Sequence, residues 1–375
     1  MEPFKNFIDA TLVRSIGTHL QRADRRFARR DFEAAALDGL ETLELKDRVR
    51  RIADALVATL PDDIDRACAL MEAALGPPGD ADDLSTQRTS DAGLGGWAIW
   101  PLTEAVSRIA LDDPERGLAA LHAMTQRSTA EFAIRPFILR HPDVCWPTLA
   151  RWVHDPSAHV RRLVSEGSRP RLPWGLRLQP LVQDPTPTLP LLEALQDDGS
   201  AYVRRSVANH LNDIAKDHPA LVAGWLSRHL PGASADRTAL LRHASRGLIK
   251  GGDAAALAAW GLGQKFKGDV AWSVSPRRAH LGGALALGLD LHSRSAKPQR
   301  LAIDYAVHHV KADGRLTPKV FKGWVIDLAP REQRRLERRH SLKAVTTRRY
   351  HAGRHLVDLR INGQVLAEAA FDLSL

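Results

Sequence analysis

A thirteen-residue motif occurs twice in the chain, and its two copies begin 43 residues apart. The first copy, DPSAHVRRLVSEG, begins at Asp155, and the second, DGSAYVRRSVANH, begins at Asp198. Helical-hairpin repeats of the HEAT type recur every ~40–47 residues. In both copies an aspartate and a short turn precede a helix that opens on Val-Arg-Arg. Such a helix buries its apolar face only against a neighbouring repeat. The motif therefore predicts a solenoid of stacked helix pairs.

The spacing of apolar residues changes near Lys267. Before it, apolar residues recur at intervals of three and four, which is typical of amphipathic helices. After it, apolar and polar residues alternate, and Asn362-Gly363 is a strong signal for a two-residue hairpin turn. We therefore predict a mostly α protein with an appended all-β domain. A HEAT-like α-solenoid at residues 1–266 is followed by an immunoglobulin-like β-sandwich at residues 267–375.

The net charge of +9 is confined to the last third of the chain. Residues 1–268 hold 34 Lys+Arg and 34 Asp+Glu, whereas residues 269–375 hold 19 and 10. Part of the excess lies in REQRRLERRH (331–340), which we predict to be a loop or a short helix between strands. A basic domain of this kind is expected to contact a polyanion. A basic surface that serves only solubility is the alternative.

Several classes of protein are disfavoured by the sequence. Cys68 and Cys145 are the only cysteines, so we expect neither a disulfide framework nor a zinc site, and a reducing cytoplasm fits. The first residues lack the basic and apolar regions of a secretory signal, and no run of ~18 apolar residues suggests a membrane span. We expect a cytoplasmic monomer with no metal, no cofactor and no membrane partner.

Acidic and basic residues share the polar faces of the predicted repeat helices. Arg205 and Asp213 lie on one face of the second copy, and Arg162 and Glu166 lie on the equivalent face of the first. Glu131 belongs to the repeat before them. Since repeats stack side by side, these side chains are expected along one wall. The alternative is a set of exposed pairs worth only ~0.3–0.5 kcal/mol each.

The segment RPRLPWG follows Glu166 closely and adds an indole and two arginines. Its two prolines restrict the backbone, so Trp174 is expected to be presented to a ligand. An indole face and nearby carboxylates attract a cation, whereas Arg169 and Arg171 suit phosphates. These groups together favour a polyanion that carries a local positive charge, such as DNA with an N-alkylated base. Trp97 and Trp100, by contrast, are interpreted as packing residues.

The chain resembles the AlkC branch of the AlkC/AlkD family of DNA alkylation-repair glycosylases, which are built from HEAT-like repeats. The resemblance is carried by MEPFKN, LELKDRV, GGWAIWP, EFAIRPF, VRRLVSEGSRPRLPW and VRRSVANHLNDIAKDHP, which span the helical part. The β-rich tail is similar to the immunoglobulin-like domain that some AlkC proteins append. The resemblance implies a monofunctional glycosylase that removes 3-methyladenine and 3-methylcytosine from double-stranded alkylated DNA without conventional base flipping. It also implies a bacterial, cytoplasmic protein that associates with the nucleoid when bound to DNA.

The same resemblance implies roles for residues in the matching motifs. Glu131 and Glu166 are the leading candidates for positioning water and stabilising the sugar cation, and Asp213 would complete the acidic cluster. Trp174 would contact the deoxyribose or the lesion. The expected DNA-backbone contacts are Arg162, Arg169, Arg171, Arg205 and Arg246. The chemistry agrees, because N-alkylation makes the base a good leaving group and a fixed carboxylate can stabilise the positive sugar.

Two other functions are compatible with parts of the sequence. A non-enzymatic HEAT-repeat scaffold could bind DNA or protein through its concave face, as many repeat proteins do. A lyase or a nuclease is less favoured, because the acidic stretch contains no well-placed lysine and no cluster of metal ligands. Replacing a carboxylate by an amide would distinguish the scaffold from the glycosylase.

Overall fold

The computed structural model describes residues 3–79, 87–262, 264–345 and 348–375. These residues form two units that divide between residues 217 and 218. In its described part the first unit is built from helices and short 3-10 turns. The second begins with helices and continues as β-strands.

Twelve α-helices follow one another in the described part of the first unit. They are α1 (Ala10–Ala23), α2 (Arg29–Leu37), α3 (Leu45–Thr59), α4 (Ile64–Ala73), α5 (Ile99–Ile109), α6 (Pro114–Thr125), α7 (Ile134–Arg140), α8 (Pro142–Trp152), α9 (Ala158–Gly167), α10 (Gln179–Gln183), α11 (Leu189–Leu195) and α12 (Ala201–Ile214). Two 3-10 turns, Phe4–Phe7 and Gly96–Ala98, contribute aromatic side chains. Aspartates cap several helices; the side chain of Asp9, for example, accepts a hydrogen bond from the first turn of α1.

The repeated motif begins α9 and α12 in the same way. Asp155 Oδ1 accepts a hydrogen bond from Ser157 N at 2.8 Å, and Asp198 Oδ1 accepts one from Ser200 N at 2.8 Å. Each aspartate thus fixes the turn that leads into its helix. Arg161 of the first copy donates from Nε to Asp198 Oδ2 of the second at 2.6 Å, which ties the two repeats together. The predicted helix starts are therefore confirmed.

The apolar faces of α9 and α12 pack against each other. Val160 and Val164 of α9 are fully buried, as are Val203, Val207 and Leu211 of α12. Burial of one such side chain contributes roughly 1.5–3 kcal/mol. The predicted helical-repeat fold is confirmed, and its packing leaves the polar faces of these helices for other contacts.

The second unit contains four helices and eight strands among its described residues. The helices are α13 (Pro219–His229), α14 (Ala235–Ala244), α15 (Arg246–Gly251) and α16 (Ala254–Ala259). The strands are β1 (Gly268–Ser275), β2 (Arg278–His280), β3 (Ala284–Ser293), β4 (Gln299–Val310), β5 (Leu316–Leu328), β6 (Gln333–Ser341), β7 (Gly353–Ile361) and β8 (Gln364–Ser374). One sheet has the order β1-β3-β6, and the other has the order β2-β8-β7-β4-β5.

The strands form the predicted β-sandwich. Alternate residues such as Leu287 and Val357 are buried in a core between the sheets. Asn362 and Gly363 have positive φ angles of 50° and 79° and connect β7 to β8, as the hairpin signal predicts. The prediction of a loop or short helix at residues 331–340 was wrong. Strand β6 occupies most of this segment and pairs with β3, because backbone hydrogen bonds and the partly buried Leu336 outweigh the charge of its arginines.

The predicted domain boundary between residues 266 and 267 stays a prediction. The first strand begins at Gly268, whereas the two units divide at 217/218, so that α13–α16 group with the sandwich. No helix in the described ranges is both long enough and apolar enough to cross a bilayer. Cys68 and Cys145 are buried, and burial raises the pKa of their thiols to about 11 and about 12, respectively.

Candidate active site

A cavity of about 610 Å³ opens in the first unit beside the polar face of α9. Its walls combine two carboxylates with six aromatic rings. The carboxylates are Glu131 and Glu166, and the rings are Phe4, Phe7, Trp97, Trp100, Phe132 and Trp174. An apolar cavity with a few convergent polar groups is the usual form of a ligand site. The segments that carry the resemblance to the glycosylase family therefore meet around this one cavity.

Arg162 joins the two carboxylates of the cavity. Its Nη1 lies 2.9 Å from Glu131 Oε2, and its Nη2 lies 3.8 Å from Glu166 Oε2. Thr129 Oγ1 donates to Glu131 Oε2 at 2.8 Å, and Tyr202 lies under the Arg162 guanidinium, 4.9 Å from it. Glu131, in the turn before α7, is thereby held beside α9, as the stacking of repeats predicts.

A second arginine joins Glu166 to Asp213. Arg169 Nη1 donates to Glu166 Oε1 at 2.5 Å, and its Nε donates to Asp213 Oδ2 at 2.8 Å. Ser206 Oγ donates to Glu166 Oε2 at 2.6 Å, and Lys216 Nζ donates to Asp213 Oδ1 at 2.7 Å. Three repeats thus contribute to one chain of alternating charges.

The charge network keeps Glu166 ionised at neutral pH. Burial alone would raise the pKa of Glu166, but Arg162 and Arg169 outweigh it and lower that pKa below its usual range. Burial likewise acts to lower the pKa of Arg162, and Glu131 and Glu166 reverse the effect and raise it. Glu166 therefore supplies a fixed negative charge that does not depend on pH near neutrality.

The three carboxylates differ in which of their oxygens remain available. Both oxygens of Glu166 and both of Asp213 contact cations or hydroxyls. Glu131 Oε1 has no partner among the described residues, and the side chain is 13% exposed at the cavity wall. Asp213 does not line the cavity and reaches it only through Arg169. Glu131 is therefore the carboxylate best placed to accept a hydrogen bond from a ligand or water.

Trp174 is presented by a strained and well-anchored segment. It has a φ of 64°, in the left-handed region, and it is 58% exposed. Such a conformation costs about 1–3 kcal/mol and persists only where the surroundings impose it. Lys46 Nζ donates to the Trp174 carbonyl oxygen. The fully buried Arg135 donates to the carbonyl oxygens of Leu176 and Gly167, on either side of the segment.

The aromatic wall is the part of the site that sequence analysis missed. Phe7 stacks on Trp97 with ring centroids 5.4 Å apart, and Trp100 stacks on Phe132 at 5.2 Å. Trp97 and Trp100 therefore pack, as predicted, but they also face the cavity. Their presence in segments that carry the family resemblance was the available signal.

The remaining predicted DNA contacts lie in different surroundings. Arg171 forms a bidentate ion pair with Asp217, in which Nε donates to Oδ2 at 2.6 Å and Nη2 donates to Oδ1 at 2.7 Å. Arg205 is exposed on α12. Arg246 belongs to the second unit, where it lines another cleft. DNA contact by these three residues, and by Arg162 and Arg169, stays a prediction. No group of three or more metal-ligating side chains occurs in the described part of the chain.

Known proteins are similar to this chain over its whole length. A sequence profile of the family described as "Uncharacterised protein YhaZ, C-terminal Ig-like domain" matches residues 269–375. The "Uncharacterized protein YhaZ" of Bacillus subtilis (strain 168) is 34% identical over 371 residues, which cover 97% of this chain and 98% of that protein. Among solved structures, the Pseudomonas fluorescens alkylpurine DNA glycosylase AlkC, bound to DNA containing an abasic site analog, has a TM-score of 0.88. It is 33% identical, and the match covers 100% of both chains.

Proposed function

This chain belongs to the AlkC branch of the AlkC/AlkD family, and from that premise we propose that it is a monofunctional DNA glycosylase. Its substrates are positively charged N-alkylated bases in double-stranded DNA, chiefly 3-methyladenine and 3-methylcytosine. It acts as a monomer, in the bacterial cytoplasm and on the nucleoid. It hydrolyses the N-glycosidic bond, and it leaves an abasic site with the DNA backbone intact.

The observation that carries this proposal is the pair of carboxylates at the wall of an aromatic cavity. As the N-glycosidic bond breaks, the alkylated base leaves with the bonding electron pair and becomes neutral, while C1′ becomes positive. The free Oε1 of Glu131 can hold a water whose oxygen adds to C1′, and the water's proton passes to that carboxylate and then to solvent. Glu166, fixed and ionised, stabilises the developing positive charge.

The arginines have a positioning role in this scheme. Arg162 and Arg169 hold the carboxylates through ion pairs that are largely buried. A guanidinium aimed at a phosphate would have to leave these partners, at a cost of several kcal/mol. We therefore propose that both arginines orient the carboxylates, and that Asp213 acts by orienting Arg169.

The aromatic rings supply selectivity for a positive substrate. A ring face attracts a cation with about 0.5–2 kcal/mol, and it attracts a neutral base less. Trp174 is the most exposed of the aromatic rings that line the cavity. We expect it to contact the deoxyribose or the charged base, in agreement with the role that the resemblance implies.

A duplex with a single 3-methylcytosine tests the proposal. The proposal predicts that the wild type converts the site to an abasic site, which alkali then cleaves. The strand should remain intact without alkali. The double variant Glu131→Gln with Glu166→Gln lacks both cavity carboxylates. Provided that it still binds the duplex, it should form neither the abasic site nor the alkali-cleaved strand.

A DNA-binding scaffold is the second candidate function. It is favoured by one observation, the neutralisation of all three carboxylates by Arg162, Arg169 and Lys216. A purely structural network would look similar. Under this alternative the amide variants would bind DNA like the wild type. Neither the wild type nor the variants would release a base.

A further inference from the structure

Phe4 and Phe7 form a part of the cavity wall to which the proposed function gives no separate role. They belong to the 3-10 turn Phe4–Phe7, which precedes α1, and both line the cavity. Phe4 is 47% exposed and Phe7 is 41% exposed. Large apolar side chains that stay this open in a concave site are available to a ligand.

A chain of ring contacts separates these two phenylalanines from the carboxylates. Phe132, which follows Glu131 directly in the sequence, stacks on Trp100 with ring centroids 5.2 Å apart. Trp100 lies 6.4 Å from Trp97, and Trp97 stacks on Phe7 at 5.4 Å with 6° between the ring planes. The phenylalanine turn is therefore at the opposite end of the ring chain from the carboxylates, which the proposed function places at the sugar.

Arg48 fixes the main chain of this turn. Its Nη1 donates to the carbonyl oxygens of Lys5 and Ile8, both at 3.0 Å. Its Nε and Nη2 donate to the carbonyl oxygens of Leu43 and Glu41 at 2.9 and 2.8 Å, which attaches the turn to the segment before α3. Arg48 is buried, so water competes little for these hydrogen bonds. The main chain that carries the two rings is thus held in one position.

We propose that Phe4 and Phe7 form a subsite for the leaving base, and that Arg48 is the positioning residue of this subsite. The assignment rests on the proposed function, because a base leaves only where the N-glycosidic bond is cleaved. With the sugar at the carboxylates, the base extends towards the opposite end of the ring chain. A positively charged base is attracted to the ring faces, whereas a neutral base is attracted less. Contact with the alkylated edge of the base needs no full extrusion of the base from the helix.

The charge of the base changes during the reaction, and this change limits what the subsite does. The alkylated base is positive before cleavage. As the bond breaks, the base takes the bonding electron pair and becomes neutral, while C1′ becomes positive. Rings beside the base therefore stabilise the bound substrate more than the transition state. Their loss should weaken binding of the substrate without slowing the saturated reaction, whereas loss of a group beside the sugar should slow it.

A duplex with one 2′-fluorinated 3-methylcytosine nucleotide tests the subsite without the chemistry, because the fluorine disfavours a sugar cation and blocks excision. Its affinity is compared by fluorescence anisotropy with that of the same duplex without the methyl group. The ratio of the two affinities should fall about 5- to 30-fold in the double variant Phe4→Ala with Phe7→Ala, which is about two- to fivefold for each ring. The double variant Phe4→Leu with Phe7→Leu keeps the apolar bulk without the ring faces, and its ratio should fall as well.

Single-turnover excision from the duplex that lacks fluorine separates this subsite from the sugar site. The protein concentration that gives half of the maximal rate should rise in both double variants by the factor seen in binding. The effect should not appear as a fall in the maximal rate. A tenfold lower maximal rate with an unchanged half-saturating concentration would place the two rings at the sugar and overturn the proposal.

Substitution of Arg48 tests its positioning role. Arg48→Met should lower the affinity ratio at a temperature at which the variant stays folded, and its affinity for the unmethylated duplex should stay that of the wild type. Arg48→Lys can still donate to a carbonyl of the turn, so it should keep part of the preference for the methylated duplex. An equal loss of affinity for both duplexes would indicate a purely structural role for Arg48 and contradict the proposal.

Leu139→Ala is the matched control. Leu139 is 40% exposed on α7, much like the two phenylalanines, but it does not line the cavity, so the ratio should stay that of the wild type. An unchanged ratio in the alanine double variant would overturn the proposal, as would a leucine double variant with the ratio of the wild type. Wild type that prefers the methylated duplex but excises nothing would instead contradict the proposed function and leave a site for the charged base standing.

Discussion

Replacing each cavity carboxylate by its amide should separate chemistry from stability. Glu131 and Glu166 have the same side chain and line the same cavity. They differ in their partners, because Glu131 keeps one free oxygen whereas Glu166 binds Arg169 and Ser206 with its two oxygens and also lies near Arg162. We expect Glu131→Gln to lose activity with little loss of stability, and Glu166→Gln to lose both.

The magnitudes follow from these contacts. Removing one preorganised group that stabilises the transition state costs about 2.7–4 kcal/mol, or roughly 10²–10³ in rate, and this is the loss expected for Glu131→Gln. Its amide oxygen can still accept hydrogen bonds from Thr129 and from Arg162, and Arg162 keeps Glu166 as a counter-charge at 3.8 Å, so unfolding should become easier by only about 1 kcal/mol. Glu166→Gln leaves a buried excess of positive charge and should cost about 3–5 kcal/mol. For a unit of this size that corresponds to a fall in melting temperature of roughly 6–20 °C, against roughly 2–4 °C for Glu131→Gln.

Single-turnover excision and thermal unfolding, measured on the same preparations, provide the comparison. Glu72→Gln serves as a control, because Glu72 pairs with Arg116 at 2.7 Å but does not line the cavity. It should keep the wild-type rate. A Glu131→Gln rate within threefold of the wild type would refute the assignment of the free oxygen. An unchanged melting temperature for Glu166→Gln would refute the account of the buried network.

Three further changes test the supports of the site and the second unit. Lys46→Met should lower the single-turnover rate about tenfold with unchanged DNA affinity, because the Trp174 carbonyl oxygen loses its hydrogen-bond donor. Lys46→Arg should restore most of the lost rate. A loss of DNA affinity in place of the loss of rate would contradict a positioning role for Lys46. Trp174→Ala should slow excision by at least tenfold. The melting temperature should stay within about 2 °C of the wild type, because the side chain is 58% exposed. A large fall in stability would contradict the interpretation of Trp174 as a residue presented to the ligand. Burial lowers the pKa of His309 to about 3 and of His340 to about 4, whereas the usual pKa of histidine in an unfolded chain is 6.5. Protonation below pH 6.5 therefore favours the unfolded chain, so the stability of the second unit should be complete above pH 6.5 and decline as the pH falls towards 4. Thermal unfolding across this range checks the last prediction, and His340→Phe should make the decline shallower; a pH-independent transition would contradict it.

Much of the helical part could be predicted from the sequence because its signals are local. The Asp-x-Ser turn at Asp155 recurs at Asp198, and in each copy the aspartate fixes the turn that leads into the following helix. Repeat stacking then placed Glu131 beside Glu166, although they are far apart in the chain. A regular spacing of local elements was sufficient to bring these two residues together.

The orientation of individual charged groups could not be predicted in this way. Asp213 shares the polar face of its helix, but Arg169 and Lys216 bind both of its oxygens and keep it from the cavity wall. Whether a carboxylate faces a ligand or an arginine depends on partners that come from neighbouring repeats. The periodicity of one helix contains no information about them.

The aromatic wall and strand β6 were missed for related reasons. Phe7, Trp97 and Phe132 come from three distant segments and become one surface only after folding. In β6 the arginines conceal the alternation, since only Leu336 and His340 mark its buried side. Pairing with β3, which is a contact distant in sequence, decides its structure.

Chromatography of the bases released from methylated duplex DNA tests the central claim most directly. The account predicts that the wild type releases free 3-methyladenine and 3-methylcytosine, leaves unbroken strands, and does so far faster than Glu131→Gln. Methylated DNA that is bound but yields no free base above the protein-free control would contradict it.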